Sequence, residues 1–161
     1  ADSALEGDMV SADISGLIGQ YAHGNEPSHH ITHLYNYVDQ PWRTQELVDQ
    51  ILHTLYFNDP DGLSGNEDCG QMSAWFILNS MGQVCPGKPI YSIGRPLFEK
   101  STIQLKDGKT FTVIAHNNSR ENKYVQSMVL NGKKLDKPFF THQDIVDGGT
   151  LELTMGNVPL K

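Results

Sequence analysis

The residues best suited to bind a ligand are concentrated between Tyr21 and His33, in the stretch YAHGNEPSHHITH. An amide and a carboxylate stand side by side there, at Asn25 and Glu26, and four of the seven histidines surround them: His23, His29, His30 and His33. A glycine precedes the pair and a proline follows it. Glycine permits backbone turns that other residues avoid, and proline suits the first turn of a helix. The sequence therefore predicts a loop that presents both oxygen-bearing side chains at the start of a helix, where the free amides also favour a carboxylate.

A second polar loop covers residues 58–69, with the sequence NDPDGLSGNEDC, and it also precedes a predicted helix. Because each loop leads into a helix, both loops can lie at the same end of a helical bundle or barrel. Together they offer these oxygen-bearing side chains: Asn25, Glu26, Asp59, Asp61, Asn66, Glu67 and Asp68. Hard oxygen ligands in this number suit Ca²⁺ better than Zn²⁺. If the two loops bind a metal ion together, calcium is therefore favoured over zinc.

Several residues of these loops have simpler interpretations. Asp59 and Asp61 are predicted to build turns, whereas Asp68 stands directly before a buried helix and is not expected to be a free surface charge. His29 and His33 are four residues apart, so one helix face could hold a zinc ion through both rings. The alternative is that each histidine packs and hydrogen-bonds inside the protein.

Three helices are predicted to position the loops. The first runs from Ser28 to Val38 and has apolar residues at helical spacing: Ile31, Leu34, Tyr35 and Val38. The second begins at Pro41 and carries one apolar stripe: Leu47, Val48, Ile51, Leu52, Leu55 and Tyr56. The third, residues 71–81, is apolar around most of its circumference and is predicted to be buried. Its Met72 and Trp75 are assigned to the core rather than to a sugar-binding surface.

The second half of the chain has the alternating pattern of β-strands. Two hairpins are predicted, one with a two-residue turn at Asp107-Gly108 and the other with a two-residue turn at Asn131-Gly132. A last strand follows in the sequence TLELTM. The sequence therefore predicts an α+β chain with a helical part at residues 1–86 and an antiparallel β region at residues 87–161.

Composition excludes several classes of protein. Of the 161 residues, 19% are charged and 38% are hydrophobic, as in a folded protein, and no apolar run approaches the roughly 20 residues of a membrane span. A net charge of −7 without a cluster of Lys or Arg argues against a nucleic-acid partner. The two cysteines, Cys69 and Cys85, are too few for a disulfide framework. The first residues lack the features of a signal peptide, so any export signal is expected outside this chain.

Several motifs, HGNEPSHH, LYNY, QPWRTQ, DGLSGNEDCGQMSAWF and GGTLELTMGNVP, resemble the C-terminal part of glycoside hydrolase family 92. Members of that family are calcium-dependent, exo-acting α-mannosidases, largely specific for α-1,2 linkages, and they are several-fold longer than this chain. They combine an N-terminal β-sandwich with a catalytic (α/α)6 barrel. The resemblance, which runs from about Gly16 to the last residue, implies that the chain comprises the final helices of the barrel followed by the antiparallel β region.

The resemblance also implies roles for matching residues. Asn25 and Glu26 are the expected calcium ligands, and Asp68 is the expected general base, close enough to assist calcium binding. Family members often have aspartate at position 66, whereas this chain has Asn66, which leaves Asp68 as the base. Asn66, His23 and His29 are expected to contact the sugar. The general acid is a glutamate upstream, and no residue of this chain matches it.

The implied function is a fragment of an inverting, calcium-dependent exo-α-mannosidase that supplies the calcium loop and the base. Its partners would be mannose-containing glycans and the missing upstream part of the same protein. The parent protein is expected to be secreted, periplasmic or at the cell surface, and the isolated chain is expected to be inactive. The alternative is a non-catalytic module that binds calcium or a glycan through the same loops.

Overall fold

The computed structural model describes residues 14–84 and 89–161. Its first part contains, in chain order, the strands β1 (Leu17–Ile18) and β2 (Tyr21–Ala22), 3-10 helices at Glu26–Ser28 and Ile31–Val38, and the helices α1 (Pro41–Thr54) and α2 (Gln71–Ser80). The second part contains β3 (Gln83–Val84), β4 (Ile90–Ile93), β5 (Lys100–Gln104), a 3-10 turn at Lys106–Gly108, β6 (Thr110–His116), β7 (Tyr124–Leu130), β8 (Lys133–Lys134), β9 (Phe139–Thr141), α3 (His142–Val146) and β10 (Gly149–Gly156). The predicted α+β class is confirmed.

The helix predicted from Ser28 is replaced by two 3-10 helices, and its inward face is not the apolar one. The side chains buried in the second of them are Thr32, His33 and Asn36. The predicted apolar stripe points outward instead, because Ile31, Leu34 and Val38 are all exposed. The apolar spacing that predicted a helix here therefore does not mark its buried face.

The geometry of the 3-10 helix explains which face is buried. Residues three apart lie above one another in such a helix, so His33 and Asn36 share one face. Both hydrogen-bond to Ser92 on β4, at 3.0 Å from His33 Nδ1 and 2.7 Å from Asn36 Nδ2. Polar partners on a neighbouring strand thus determine the orientation of this segment, and the apolar periodicity does not.

The two α-helices pack against each other through apolar side chains. As predicted, α1 begins with a proline in its first turn and buries Val48, Ile51 and Leu52. These three residues form a cluster with Trp75 of α2. The helix α2 buries Met72 and Trp75 on one side, but Ile77 on the other side is 56% exposed, so the predicted burial holds for one side only.

The five-stranded sheet has the order β5-β6-β10-β7-β8, and its central strand is the last in the chain. β10 pairs antiparallel with β7 but parallel with β6, so the predicted region is not wholly antiparallel. Leu151, Leu153 and Met155 of β10 alternate inward and are at most 1% exposed. They occupy the middle of the larger hydrophobic core, which also contains Ile93, Phe111, Val113, Ala115, Val125, Leu130, Phe140 and Ile145.

The two hairpin turns have different outcomes. Asn131 and Gly132 both have positive φ, 49° and 79°, and the flanking residues pair directly, so the predicted two-residue turn is confirmed. Asp107 and Gly108 also have positive φ. The last pair there is Gln104 with Thr110, and a 3-10 turn lies between them, so the predicted two-residue turn is wrong.

Side chains join the helical part to the sheets. Asp49 of α1 lies 2.9 Å from Nε of Arg95, whose side chain is 2% exposed, and 3.8 Å from Nζ of Lys123. The strand β3 pairs with β4, which together with β9 forms a second sheet. The division between residues 1–86 and 87–161 remains a prediction, and Cys85 beside it lies outside the described residues. Among the helices of the described residues, none has the length and hydropathy to cross a membrane.

Candidate functional site

An open cleft of about 640 Å³ brings the predicted calcium ligands and the predicted base together. Its lining residues are Asn25, Glu26, Pro27, Asp68 and Gln71. The first three come from the loop after β2, and the last two come from the chain entering α2. The two loops that the sequence placed at one end of the helices therefore meet at this cleft.

The loop after β2 fixes the amide of Asn25. Asn25 has an extended backbone and precedes the first 3-10 helix, in which Pro27 occupies the first turn. Its Nδ2 donates a hydrogen bond of 3.1 Å to Oγ of Ser28, and its backbone carbonyl accepts one of 2.9 Å from the Ser28 amide. Because the side-chain nitrogen is used within the loop, the Oδ1 atom is the end of the amide that can serve a ligand.

Glu26 contributes a carboxylate oxygen that lacks a partner. Its Oε1 atom is buried and receives no hydrogen bond from the described residues. A buried oxygen without a donor is unfavourable, and more so when it is charged. A bound cation would satisfy this atom, so the residues present fit a calcium site.

The described residues would supply only part of a calcium coordination sphere. Within residues 14–84 and 89–161, no group of three or more His, Cys, Asp or Glu side chains is placed to hold a metal ion. The cleft offers two carboxylates and an amide oxygen, from Glu26, Asp68 and Asn25. Calcium takes about 6–8 oxygen ligands, so the remainder would be water, substrate or other residues.

Asp68 stands on an unusual stretch of backbone. Asp68, Cys69 and Gly70 all have left-handed conformations, with φ of 45°, 58° and 94°. This conformation costs roughly 1–2 kcal/mol for a residue other than glycine. Asp68 is exposed, so the expectation that it is not a free surface charge is wrong for this chain. The physical reason is that the left-handed turn lies between Asp68 and the start of α2 at Gln71, so Asp68 is not on the buried face of this helix.

Neighbouring acidic residues have structural roles. Glu67 accepts hydrogen bonds from the backbone nitrogen and Oγ of Ser73, at 3.0 and 2.9 Å, and so stabilises the start of α2. Oδ1 of Asp59 accepts a hydrogen bond of 3.0 Å from the Asp61 amide, which is the predicted turn. Asn66 is exposed and is absent from the described lining of the cleft. Its contact with a sugar remains a prediction.

His23 lies in the interior with both ring nitrogens hydrogen-bonded. The hydroxyl of Tyr56 donates to the Met72 carbonyl at 3.1 Å, so its oxygen accepts the Nε2–H of His23 at 2.7 Å. Nδ1 of His23 then accepts from the Tyr21 hydroxyl at 2.8 Å. Burial lowers the pKa of His23 to about 3, so the ring is neutral at neutral pH. His23 does not line the cleft, and its predicted contact with a sugar is not part of this geometry.

His29 is also buried, and its ring is joined to the cleft through Gln71. Its Nε2–H donates to the carbonyl of His23 at 2.9 Å, and its Nδ1 accepts from Nε2 of Gln71 at 3.3 Å. Its ring stacks on that of His23 at a centroid distance of 4.7 Å, and its own carbonyl accepts a 3.1 Å hydrogen bond from Nε1 of Trp75. Burial lowers the pKa of His29. The ring of His29, which was predicted to contact the sugar, thus joins the loop to α2 instead.

The third buried histidine, His33, makes only internal contacts. Its Nε2–H donates to Oδ1 of Asn79 at 2.8 Å, its Nδ1 accepts from Ser92, and burial lowers its pKa to about 4. Since His29 and His33 each use both ring nitrogens internally, the arrangement does not form the zinc pair considered from their spacing. Trp75 is 2% exposed and belongs to the core, as predicted.

Gln71 is the polar residue of the cleft that the sequence patterns did not single out. It is the first residue of α2 and stands three positions after Asp68, and its backbone nitrogen donates to the Asp68 carbonyl at 3.2 Å. This close spacing was the available signal, because a turn leading into a helix brings such residues together.

Comparison of the sequence with known proteins identifies relatives of this chain. The sequence profile of the glycosyl hydrolase family 92 catalytic domain matches residues 2–157. A protein of Arthroderma benhamiae described as an uncharacterized secreted glycosidase is 35% identical over 137 residues, which cover 83% of this chain and 18% of that protein.

Solved structures agree with this match. A family GH92 α-mannosidase of Bacteroides thetaiotaomicron superposes with a TM-score of 0.85 at 46% identity, covering 91% of this chain and 20% of that one. Its complex with mannoimidazole gives a TM-score of 0.87. A family GH92 inverting mannosidase of the same species gives 0.80 at 43% identity, over 88% of this chain and 19% of that one. The chain spans about a fifth of the length of these relatives, and it belongs to glycosyl hydrolase family 92.

Proposed function

We propose that the chain is part of an inverting, calcium-dependent exo-α-mannosidase that acts on α-1,2-linked mannose in glycans. In this proposal it supplies the calcium loop and the general base. The observation that carries the proposal is the convergence of Asn25, Glu26 and Asp68 on one cleft, with a buried Glu26 oxygen that has no donor among the described residues. The relative described as an inverting mannosidase and the relative solved with mannoimidazole support the reaction and the sugar.

Calcium would be held by Oδ1 of Asn25 and the carboxylate of Glu26, with Asp68 close enough to assist. When bound, the ion would supply Lewis-acid chemistry and a template for the hydroxyl groups of mannose. The neutral, buried His23 and His29 would then hold the loop in place without adding positive charge near the ion.

Asp68 would act as the base that removes a proton from the attacking water. Inverting glycosidases place the base and the acid on opposite sides of the sugar, with room for that water between them. The acid is expected in the upstream part of the protein, so this chain contributes one member of the pair. Asp68 is exposed at an open cleft, which fits a site that the upstream part of the protein would close.

The described helices would be the last ones of an (α/α)6 barrel. Seven large apolar side chains in the described part of this region are exposed: Leu17, Ile31, Leu34, Tyr37, Val38, Phe57 and Ile77. In a complete barrel, the preceding helices would cover such residues. This chain covers about a fifth of the length of its relatives, and those helices would belong to the remainder. The parent protein is proposed to be secreted, periplasmic or at the cell surface, in line with the relative described as secreted.

The test uses the full-length parent enzyme and an α-1,2-linked mannobiose. Wild type should release mannose whose first-formed anomer is β, should lose activity with a calcium chelator, and should regain it with Ca²⁺. Asp68→Asn should lower kcat by at least about a thousandfold, because the general base is removed. The matched control is Asp61→Asn, an exposed aspartate of the same loop, which should leave kcat unchanged.

Near-normal turnover by Asp68→Asn would remove Asp68 as the base. A non-catalytic module is the competing interpretation, and calorimetry on the isolated chain distinguishes it. Tight binding of Ca²⁺ or mannose by this chain alone would favour the module, whereas a severed part of a barrel should bind neither well.

A further inference from the structure

The amide of Gln71 has no role in the proposed function, although it lines the cleft beside Asp68. The two residues are joined by the turn in which the Gln71 nitrogen donates to the Asp68 carbonyl at 3.2 Å. Asn25 and Glu26 come from the other loop. One wall of the cleft therefore carries the predicted calcium ligands, and the other carries Asp68 and Gln71 together.

The orientation of the Gln71 amide follows from the hydrogen bonds of His29. Nε2 of His29 lies 2.9 Å from the carbonyl oxygen of His23, which can only accept, so Nε2 carries the hydrogen. In the neutral ring, Nδ1 is then an acceptor, and only a donor can face it. The Gln71 atom at 3.3 Å from Nδ1 must therefore be the nitrogen Nε2. The acceptor oxygen, Oε1, is the other end of an amide that is exposed at the cleft.

A water molecule that attacks a sugar has two hydrogens, and a single base can take only one of them. If the water is to be held in one orientation, its other O–H group must donate a hydrogen bond to a second acceptor. Asp68 provides the first acceptor in this cleft, and the Oε1 of Gln71 provides a neutral second acceptor on the same wall.

We propose that Gln71 positions the attacking water, its Oε1 accepting one hydrogen while Asp68 removes the other. This inference rests on the proposed function. The water oxygen bonds to the anomeric carbon as the glycosidic C–O bond breaks, and its proton passes to Asp68. The leaving oxygen receives a proton from the carboxylic acid of the upstream part, and Gln71 neither gains nor loses one. His29 is a positioning residue in this arrangement, because it fixes which end of the amide faces the water.

The test is Gln71→Met in the full-length enzyme, because methionine has a similar length and no amide acceptor. We expect kcat to fall about tenfold, the effect of losing one neutral hydrogen bond in the transition state. The KM for the mannobiose and the affinity for Ca²⁺, measured by calorimetry, should each stay within about twofold of wild type. Gln50→Met is the matched control, since Gln50 is an exposed glutamine on α1, and it should change none of these values.

Each other outcome overturns the inference in a recognisable way. A raised KM at unchanged kcat would make Gln71 a sugar contact. Weakened Ca²⁺ binding would instead give it a role in the calcium site, either as a ligand or through its hydrogen bond to His29. Wild-type kinetics in Gln71→Met would leave it without a function in the cleft. A wild-type enzyme that releases no mannose would overturn the proposed function, and this inference with it.

Discussion

Because Glu26 has a buried oxygen without a donor among the described residues, we expect the Glu26→Gln variant to be more stable than wild type without calcium and less stable with it. Oε1 of this residue is buried without a donor among the described residues, so the calcium-free protein leaves this one carboxylate oxygen uncompensated. An unsatisfied buried polar group costs about 1–3 kcal/mol, and more when charged. Glu26→Gln keeps the shape and removes the charge, so without calcium it should stabilise the protein by about 1 kcal/mol.

With calcium present, the order should reverse. At a Ca²⁺ concentration of about 100 times the wild-type Kd, binding adds about 2.7 kcal/mol to wild-type stability. Loss of groups that only support a metal ligand weakens binding by 10–100-fold, so we expect about 100-fold for a direct ligand. At the same concentration the variant would then gain only about 0.4 kcal/mol. The net result is a variant that is less stable than wild type by about 1.3 kcal/mol.

The assay is thermal unfolding of the full-length enzyme with a chelator and with excess Ca²⁺. Glu67→Gln is the matched control, because Glu67 bonds to Ser73 at the start of α2 and its loss should lower the melting temperature equally in both buffers. A Glu26→Gln variant that is destabilised by the same amount with and without calcium would refute the reasoning. Glu26 would then be a structural residue like Glu67.

Three further predictions concern the rest of the described chain. Asp49→Ala should destabilise the protein by about 3 kcal/mol, because it leaves the buried guanidinium of Arg95 without its carboxylate, and urea unfolding would measure the loss. Burial lowers the pKa of His33 to about 4, whereas in the unfolded chain it is near 6.5. Between these pH values the unfolded state therefore binds more protons than the folded state. The free energy of unfolding, which is at its full value above pH 6.5, should fall by up to about 3 kcal/mol as the pH approaches 4. A free energy of unfolding that does not change with pH would contradict this. Leu151→Ala, at the centre of the larger core, should cost about 2–5 kcal/mol in the same assay, and a loss below 1 kcal/mol would indicate that the core collapses around the cavity.

Features that depend on neighbouring residues could be predicted from the sequence. The turn at Asn131-Gly132 needs only two residues that tolerate positive φ, and α1 needs only a proline at its start and apolar residues at helical spacing. The meeting of Asn25, Glu26 and Asp68 could be anticipated because both loops lead into helices. Local chemistry is sufficient for such features.

Features that depend on distant partners could not be predicted in this way. His33 faces inward because Asn79 accepts a hydrogen bond from its ring and Ser92 donates one to it, and both partners lie far along the chain. The apolar spacing around it therefore does not mark the buried face. The exposure of Asp68 depends on three consecutive left-handed residues, which no periodic pattern reveals. The parallel pairing of β10 with β6 depends on strand order, and hydrophobic alternation does not encode strand order.

The position of β10 also determines when the sheet can form during synthesis. β10 lies between β6 and β7, yet it is the last of these strands to leave the ribosome. Until residues 149–156 emerge, β6 and β7 each expose an unpaired edge. Co-translational assembly of the five-stranded sheet must therefore wait for its final strand. A stop codon before residue 149 would leave two separate strand pairs in place of one weakened sheet.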